Sequence, residues 1–402
     1  MSLPPVADAL AAAEAAAVAG DRAGAIEQLT AALQEAPDDA RLLLLRGRLH
    51  LVLGHAEEAA ADFARVTVLA PDDPDVHYRL AMALRDRQRL IEAAASYRRA
   101  LALAPAHAEA HNNLGAVLQL QGKLSEALAT FRQAIALAHA LPQPRLNLGR
   151  LLEDMGDRAG ATAAWRDALA HVSTTDAEPF RHLLDAAEGR ASARAPAAYT
   201  RAVFDNFAPH FDARLTRELH YRVPEIIAQQ LGAVGADRPA PGDVLDLGCG
   251  TGLCAAALHG QRGRCIGVDL SSAMLAQARA RGLYDELIEA DVLDYLRDSA
   301  PARFDLTVAA DVFIYLGDLA ALFADVARVL RPGGLFAFSI EACAPETGDY
   351  ALRGSGRYAQ AEPYIRRLAA DCELRERSAH RLDIRGEPGH AIAGCIFVLE
   401  KP

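Results

Sequence analysis

The sequence predicts two architectures in one chain: an all-α repeat array in the first half and a Rossmann-like α/β domain in the second. Small and large apolar residues recur every 34 residues from Ala13 to Ala168. From Pro241 onwards, short runs rich in Val, Ile, Leu and Phe alternate with amphipathic helical segments. A length of 402 residues also exceeds what one ordinary core holds, so two domains are expected.

Composition and charge narrow the functional classes. The formal net charge is −11 and no long run of Lys or Arg concentrates positive charge, so nucleic-acid binding is not expected. The six cysteines form no Cys-x-x-Cys pair, which argues against a zinc site and against a disulfide scaffold; no metal is expected. Apolar runs fall short of the roughly 20 residues of a membrane span, and the N-terminus lacks a basic region. A cytoplasmic protein without membrane contact is therefore expected.

Five repeats are predicted from residues that share a position in the 34-residue unit. One column holds small residues: Ala13, Gly47, Ala81, Gly115 and Gly149. A second small column follows: Ala25, Ala59, Ala93, Ala127 and Ala161. A third holds large apolar residues: Leu29, Phe63, Tyr97, Phe131 and Trp165. We expect the small residues to let the two helices of a hairpin approach closely. The large residues are expected to fill the gap between neighbouring hairpins.

This pattern resembles the tetratricopeptide repeat, most clearly over residues 108–139. The resemblance implies a superhelix of about five hairpins over residues 1–174, with a concave groove that binds a protein or peptide partner. Asn113 and Asn147 share one repeat position, where that family uses asparagine to hydrogen-bond an extended peptide. The alternative is that they are ordinary exposed polar residues. Residues 175–198 are predicted to form a capping helix and a linker. The sequence leaves open whether two arrays pair as a homodimer.

The α/β domain is predicted from seven strands. Five of them alternate with helices: Asp243–Leu247, Arg264–Val268, Glu286–Glu289, Phe304–Ala309 and Leu335–Ile340. Two more, Leu374–Leu382 and Ile392–Leu399, close the chain without a helix between them. Strand-helix alternation is typical of a parallel sheet covered on both faces. We therefore expect a seven-stranded sheet that ends in an antiparallel hairpin.

The first predicted strand leads into Asp246-Leu-Gly248-Cys249-Gly250-Thr-Gly252. Glycines at the carboxyl end of such a strand allow a tight turn and close approach of a ligand to the backbone. A dinucleotide fingerprint would need a glycine at position 253, where this chain has Leu. Acidic residues follow the next three strands, at Asp269, Asp291 and Asp311. The pattern therefore indicates a nucleotide-type ligand that is not a dinucleotide.

These motifs resemble those of class I methyltransferases that depend on S-adenosylmethionine (SAM), over residues 199–402. The resemblance implies SAM as the cofactor. In that family the acidic residues at the positions of Asp246, Asp269 and Asp291 bind the ammonium group, the ribose hydroxyls and the adenine amine. The full set of implied cofactor-binding residues is Asp246, Gly248, Cys249, Gly250, Gly252, Asp269, Leu270, Met274, Asp291, Val292, Ala310 and Asp311.

The substrate region has weaker sequence signals. Three aromatic residues precede the first strand: Phe204, Phe207 and Tyr221. We expect them to form a lid over SAM, the methyl donor; the alternative is that they pack a helix onto the sheet. Arg357 and Tyr358 lie in Ser355–Gln360, a segment also found in bacterial methyltransferases with N-terminal tetratricopeptide repeats. Arg357 is predicted to contact the substrate. Tyr358 and His220 are predicted to be catalytic.

Taken whole, the chain resembles bacterial predicted methyltransferases that carry a tetratricopeptide array. The resemblance implies methyl transfer to a small-molecule or carrier-bound substrate, with the array binding a protein partner. The Asn-Pro-Pro-Tyr-type motif of amino-group methyltransferases acting on DNA or protein amides is absent after the fourth strand. Two alternatives stay open: a protein methyltransferase whose groove holds its polypeptide substrate, and an adaptor that binds SAM only as a structural cue.

Overall fold

The computed structural model describes residues 6–174, 176–190, 192–208, 211–213, 215, 221–235, 242–258, 263–387 and 390–402. For residues 202, 206, 207, 213, 385–387 and 390 the description covers the backbone alone. The chain divides into two compact units, Met1–Ala177 and Glu178–Pro402. No helix in the described part is long and apolar enough to cross a membrane.

The first unit is a succession of helical hairpins, which confirms the predicted all-α repeat array. Each hairpin pairs an odd-numbered helix with the even-numbered helix that follows it. The helices are α1 (Val6–Val18), α2 (Arg22–Glu35), α3 (Ala40–Val52), α4 (Ala56–Leu69), α5 (Pro74–Asp86), α6 (Leu90–Leu103), α7 (Ala108–Leu120), α8 (Leu124–Leu137), α9 (Pro142–Asp154) and α10 (Arg158–Leu169).

Helix ends in this unit follow from local chemistry. Asp39 and Asp73 precede α3 and α5, and their carboxylates accept hydrogen bonds from backbone N–H groups of the first turn. Such caps satisfy donors that have no partner inside the helix. Gly54 and Gly122 adopt positive φ in the turns within two hairpins, a conformation that costs glycine least.

The repeat columns pack small against large within one hairpin. A Cβ added to Gly47 would lie 2.9 Å from the ring of Phe63, and one added to Gly115 would lie 2.7 Å from the ring of Phe131. The large residue of each pair therefore contacts the small residue of its own hairpin. The predicted packing of the large residues between neighbouring hairpins stays a prediction beside this contact.

The second unit contains a seven-stranded sheet in the order β3-β2-β1-β4-β5-β9-β8. The first five strands in this order are parallel, and β9 and β8 are antiparallel to their neighbours, which confirms the predicted terminal hairpin. The strands are β1 (Asp243–Leu247), β2 (Arg264–Asp269), β3 (Glu286–Glu289), β4 (Phe304–Ala309), β5 (Leu330–Glu341), β6 (Tyr350–Leu352), β7 (Tyr358–Gln360), β8 (Arg375–Glu387) and β9 (His390–Glu400).

Helices cover both faces of this sheet. Leu245 and Leu247 belong to one buried cluster and Val244 to another, as alternate residues of a strand should. The helices of this unit are α11 (Glu178–Ala187), α12 (Ala197–Phe207), α13 (Phe211–Ala213), α14 (Val223–Val234), α15 (Leu253–Ala257), α16 (Ser272–Arg281), α17 (Val292–Asp298), α18 (Ala320–Val329) and α19 (Glu362–Asp371). Because the parallel strands end at one edge, the ends of β1, β2 and β4 come together there.

The strands β6 and β7 and the helix α19 were not predicted from the sequence. The two strands form a separate two-stranded sheet, and α19 follows them. Each of these strands has three residues, which is too short for an alternating pattern to stand out.

The segment predicted as a capping helix, α11, belongs to the second unit. Its buried face includes Phe180 and His182, and the Nε2 atom of His182 lies 2.8 Å from the carbonyl oxygen of Gly356. The boundary between the two compact units falls after Ala177. A capping role for α11 stays a prediction.

The residues after α11 do not form the free linker that the sequence suggested. Arg194 forms a β-bridge with Leu316, and the Ala195 N–H donates to the carbonyl oxygen of Tyr315 at 2.9 Å. Any residue can form backbone hydrogen bonds, so this attachment leaves little trace in the sequence.

Candidate active site

A cavity opens at the carboxyl ends of β1, β2 and β4, inside the second unit. Its lining includes most of the residues predicted to bind the cofactor: Gly248, Cys249, Gly250, Asp269, Leu270, Asp291, Val292, Ala310 and Asp311. The remaining lining is largely apolar and comes from α12, from Tyr221 and from the turn after β4. This is where a parallel sheet with a topological switch point places its ligand.

The glycine loop after β1 depends on left-handed backbone angles. Gly248 has φ of 61° and Gly250 has φ of 53°. A Cβ added to Gly248 would also lie 2.6 Å from Val312, so a side chain there would force the loop to move. The Cys249 N–H donates to the carbonyl oxygen of Val268 at 3.0 Å, which ties the loop to β2. The sequence therefore folds here into a tight turn that exposes backbone to the cavity.

Asp269 ends β2 as a buried carboxylate, 7% exposed. One carboxylate oxygen accepts a hydrogen bond from the Gly250 N–H at 2.8 Å, and the other accepts one from the Ser271 N–H at 2.8 Å. Burial raises the pKa of Asp269, and the two backbone hydrogen bonds oppose that rise. Since a carboxylate accepts about four hydrogen bonds, each oxygen keeps capacity for a ligand hydroxyl.

Asp291 lies at the end of β3 and begins α17. One of its oxygens caps that helix by accepting from the Leu293 N–H at 2.9 Å. The other accepts from Nη1 of Arg194 at 3.2 Å. Arg194 was not predicted from the sequence, because it lies in a segment whose composition indicates a linker.

Asp311 has an unusual backbone for a residue with a side chain, with φ of 57°. Its N–H donates to the hydroxyl of Ser339, 2.9 Å away on β5, and Ser339 is fully buried. Such a conformation persists only where surrounding contacts hold it, and it is most often found at functional sites.

Three of the predicted cofactor-binding residues do not line the cavity. Asp246 is buried and accepts a hydrogen bond from the hydroxyl of Tyr284 at 2.7 Å. Met274 is fully buried in α16, and Gly252 begins α15. Contacts of these three residues with the cofactor stay predictions.

The predicted lid residues Phe204 and Tyr221 do line the cavity, together with Phe211. The ring centre of Phe204 lies 5.3 Å from that of Tyr315 and 5.9 Å from that of Phe211, both edge to face. These rings form an apolar wall. The side chain of Phe207 and the whole of His220 lie outside the described residues, so their predicted roles stay predictions.

Arg357 and Tyr358 are adjacent in sequence but differ in position. Arg357 lines the cavity. Tyr358 is fully buried, its hydroxyl lies 2.7 Å from Oγ of Ser192, and burial raises its pKa. The structure does not bring the Tyr358 hydroxyl to the cavity, and this argues against the predicted catalytic role.

In the first unit, Asn113 and Asn147 hydrogen-bond to neighbouring repeats. The amide of Asn113 donates to the hydroxyl of Tyr78 at 3.0 Å, and that of Asn147 donates to the side-chain oxygen of Asn112 at 2.9 Å. Sequence analysis missed these partners, although Tyr78 and Asn112 are themselves one repeat of 34 residues apart. The pair of asparagines therefore stands in a network that links α5, α7 and α9.

Comparison with known protein families agrees with the division of the chain into a repeat array and an α/β domain. The family described as "Methyltransferase domain" matches residues 245–338. Families described as "Tetratricopeptide repeat" match residues 16–83 and 108–140, and one described as "TPR repeat" matches residues 81–122. Within the described residues, no group of three or more His, Cys, Asp or Glu side chains could hold a metal ion.

Individual relatives are similar to the second half of the chain. A trans-aconitate 2-methyltransferase of Acidovorax sp. is 33% identical over 37% of this chain and 52% of its own length. A ubiquinone biosynthesis O-methyltransferase of Alkalilimnicola ehrlichii is 30% identical over 40% of this chain and 70% of its own length. A malonyl-[acyl-carrier protein] O-methyltransferase of Enterobacter lignolyticus is 30% identical over 43% and 66%. The chain thus spans about half the length of the trans-aconitate relative.

Proposed function

Since the chain belongs to the class I methyltransferases and also carries a tetratricopeptide array, we propose that it transfers a methyl group from SAM to a small-molecule or carrier-bound acceptor. The observation that supports this most directly is Asp269, a buried carboxylate held against the N–H of Gly250 at the mouth of the glycine loop. Its oxygens already accept hydrogen bonds from two backbone N–H groups and keep capacity for more, which vicinal ribose hydroxyls would fill.

The cavity fits SAM on its own geometry. The glycine loop has positive φ and no room for a Cβ at Gly248, as a backbone that cradles a ligand requires. Asp269 would hold the ribose through its spare lone pairs. Leu270, Val292 and Asp291 line the part of the cavity where the adenine would lie.

Bound SAM supplies an electrophilic methyl group on a sulfonium. Transfer requires that the acceptor atom, the methyl carbon and the sulfur lie in line. A site that holds them in this arrangement lowers the activation barrier, because the reactants no longer have to meet and orient themselves from dilute solution. The chain contributes a wall of Phe204, Phe211 and Tyr315 that excludes water. The Asp311 N–H donates to the hydroxyl of Ser339, and this hydrogen bond fixes the backbone of Asp311 at the cavity wall.

The proposed acceptor class rests on the cavity wall and on the relatives. The wall is largely apolar or aromatic, with a smaller number of polar and charged residues, as sites for small molecules usually are. The relatives include methyltransferases named for trans-aconitate, ubiquinone biosynthesis and a malonyl carrier protein. These names favour a small or carrier-bound acceptor for this chain.

The array supports a second part of the proposal, namely that it binds a protein partner, such as a carrier of the acceptor. Repeat arrays of this kind provide long surfaces for binding and seldom carry out chemistry. The amides of Asn113 and Asn147 already bond within the array, so a bound peptide would have to share or replace those bonds. Pairing of two chains stays a separate prediction.

The test is to incubate the full chain with methyl-labelled SAM and an extract of the cells that produce it, and then to separate small molecules from protein. Label in the small-molecule or carrier-protein fraction is expected. Label confined to other protein bands would support a protein methyltransferase instead. Donor binding without any transfer would support the adaptor alternative.

Removal of residues 1–177 tests the role of the array, and the cut must precede α11 because that helix belongs to the second unit. If the array delivers the acceptor, the shortened chain should bind SAM normally but label the natural acceptor more slowly. An unchanged labelling rate would contradict a delivery role.

A further inference from the structure

Arg194 brings a positive charge to the cavity from a segment that carries none of the cofactor motifs. It lines the cavity, and its Nη1 atom donates to the Asp291 carboxylate at 3.2 Å. The two side chains are 45% and 21% exposed, so Asp291 is the more buried partner of this pair. Asp291 follows β3, in the part of the cavity where the adenine of SAM would lie.

The backbone of Arg194 is attached to another side of the cavity. Arg194 forms a β-bridge with Leu316, and the preceding carbonyl, that of Ala193, accepts a hydrogen bond from the Gly317 N–H at 2.9 Å. Leu316 and Gly317 follow β4, whereas Asp291 follows β3, and the strands β2 and β1 lie between those two in the sheet. Arg194 therefore joins two separate parts of the cavity wall, one through its backbone and the other through its guanidinium.

The Asp291 carboxylate is held at both of its oxygens. Oδ1 accepts a hydrogen bond from the Leu293 N–H at 2.9 Å, and Oδ2 accepts the one from Arg194. A carboxylate accepts about four hydrogen bonds, so each oxygen keeps a lone pair for a ligand. Because two contacts fix the plane of the group, the side chain has little conformational freedom left to lose when a ligand binds.

We propose that Arg194 is a positioning residue for the methyl donor: it holds the Asp291 carboxylate in place to accept a hydrogen bond from the exocyclic amine of the adenine. This inference rests on the proposed function and adds to it a residue outside the cofactor motifs. A fixed acceptor also selects its ligand, since a purine without that amine leaves the carboxylate without its donor. A carboxylate that is free to turn towards water loses less by such a mismatch.

The first test is a double-mutant cycle on the affinity for S-adenosylhomocysteine, measured with the full chain by isothermal titration calorimetry. Arg194→Met keeps an unbranched stem but removes the N–H donors. It should weaken binding by about threefold, because the ligand then has to order the Asp291 side chain. Asp291→Ser keeps a cap for α17 but removes the carboxylate, and should weaken binding by about tenfold. Adding Arg194→Met to Asp291→Ser should change the affinity by less than about twofold.

The second test uses an analogue of S-adenosylhomocysteine in which hydrogen replaces the exocyclic amine. The wild type should bind this analogue about tenfold more weakly than S-adenosylhomocysteine, because a hydrogen bond to a charged group is lost. Arg194→Met should reduce this preference to about threefold. A purely structural role of Arg194 would instead lower the affinities for both ligands alike, and an unchanged preference would overturn the inference.

Arg297→Met is the matched control, because Arg297 pairs with Asp294 in α17 at 2.7 Å and is not part of the described cavity lining. It should match the wild type in both measurements. An equal loss from Arg194→Met in the wild-type and Asp291→Ser backgrounds would overturn the inference, since Arg194 would then act without Asp291. Absence of S-adenosylhomocysteine binding by the wild type would instead contradict the proposed function.

Discussion

The two units of this chain use glycine for opposite purposes. In the array, Gly115 lies inside a helix and lets the ring of Phe131 pack against the backbone, so it contributes to stability. In the second unit, Gly248 adopts a left-handed turn at the edge of the cavity, so it contributes to ligand binding. Both sites lack room for a Cβ. The comparison shows that the same local signal in a sequence serves packing in one domain and chemistry in the other.

The largest expected effect is on SAM binding by Gly248→Ala. The added Cβ would meet Val312 and would strain a positive φ, so the loop has to shift. We expect SAM affinity to fall by about 5- to 150-fold, as overpacking of about 1–3 kcal/mol implies. Isothermal titration calorimetry with S-adenosylhomocysteine would measure it.

Gly282→Ala is the matched control, because Gly282 also has a positive φ, 65°, but has open space around it. It separates backbone strain from the clash at the cavity. Equal affinity losses in the two variants would show that strain alone explains the effect.

Gly115→Ala should destabilise the array and leave SAM binding unchanged. The Cβ would meet the ring of Phe131, at a cost of about 1–3 kcal/mol that the better helix propensity of alanine offsets by about 1 kcal/mol. Trp165 is the single tryptophan of the chain and lies in α10, so its fluorescence reports unfolding of the array.

Gly232→Ala provides the corresponding control, since Gly232 lies in α14 with open space around it. It should not lower the denaturation midpoint of tryptophan fluorescence. A raised midpoint for Gly115→Ala, as helix propensity alone would give, would contradict the packing role given to that glycine.

Ser339→Ala should have a smaller effect, on turnover and not on SAM binding. The Asp311 N–H would lose its acceptor, and a lost hydrogen bond of about 1 kcal/mol corresponds to roughly fivefold in rate. Thr307→Val is the control, because the buried Thr307 hydroxyl on the neighbouring strand β4 has no hydrogen-bond partner among the described residues. Similar losses of turnover in both variants would mean that Ser339 acts only through general packing.

The smallest expected effect is that of Tyr358→Phe. Its hydroxyl contacts Ser192 and lies outside the cavity, so the change should cost about 1 kcal/mol of stability or less and leave turnover unchanged. Ser192→Ala removes the same hydrogen bond and should behave alike. A large loss of turnover in Tyr358→Phe alone would restore the catalytic role predicted from the sequence.

How much of the structure the sequence could predict depends on how far apart along the chain the interacting residues lie. The array repeats one local packing rule, so its periodicity identified the repeats, and the strand ends at Asp269 and Asp291 followed from hydrophobic runs. Arg194 could not be found, because its bridge to Leu316 and its pairing with Asp291 join residues about a hundred positions apart. The same holds for α11, whose amphipathic pattern gives no sign of which unit it packs against.

The residues around the proposed SAM site show a similar limit of prediction from sequence. The motif located the loop of Gly248 and Gly250 at the cavity, but it could not tell that the Asp246 carboxylate accepts a hydrogen bond from Tyr284. A sequence motif records which residues recur together and not which of them face the ligand. The acceptor side has even fewer signals, because its wall is assembled from α12, the turn after β4 and the β6–β7 hairpin.

The central claim is that this cavity binds SAM through Asp269, and equilibrium dialysis with labelled SAM tests it most directly. The wild-type full chain should bind one equivalent. Asp269→Ala should bind at least about tenfold more weakly, because two hydroxyl groups lose a charged acceptor. Asp294→Ala, at an exposed carboxylate in α17, should match the wild type. Absence of binding by the wild type, or undiminished binding by Asp269→Ala, would contradict the account.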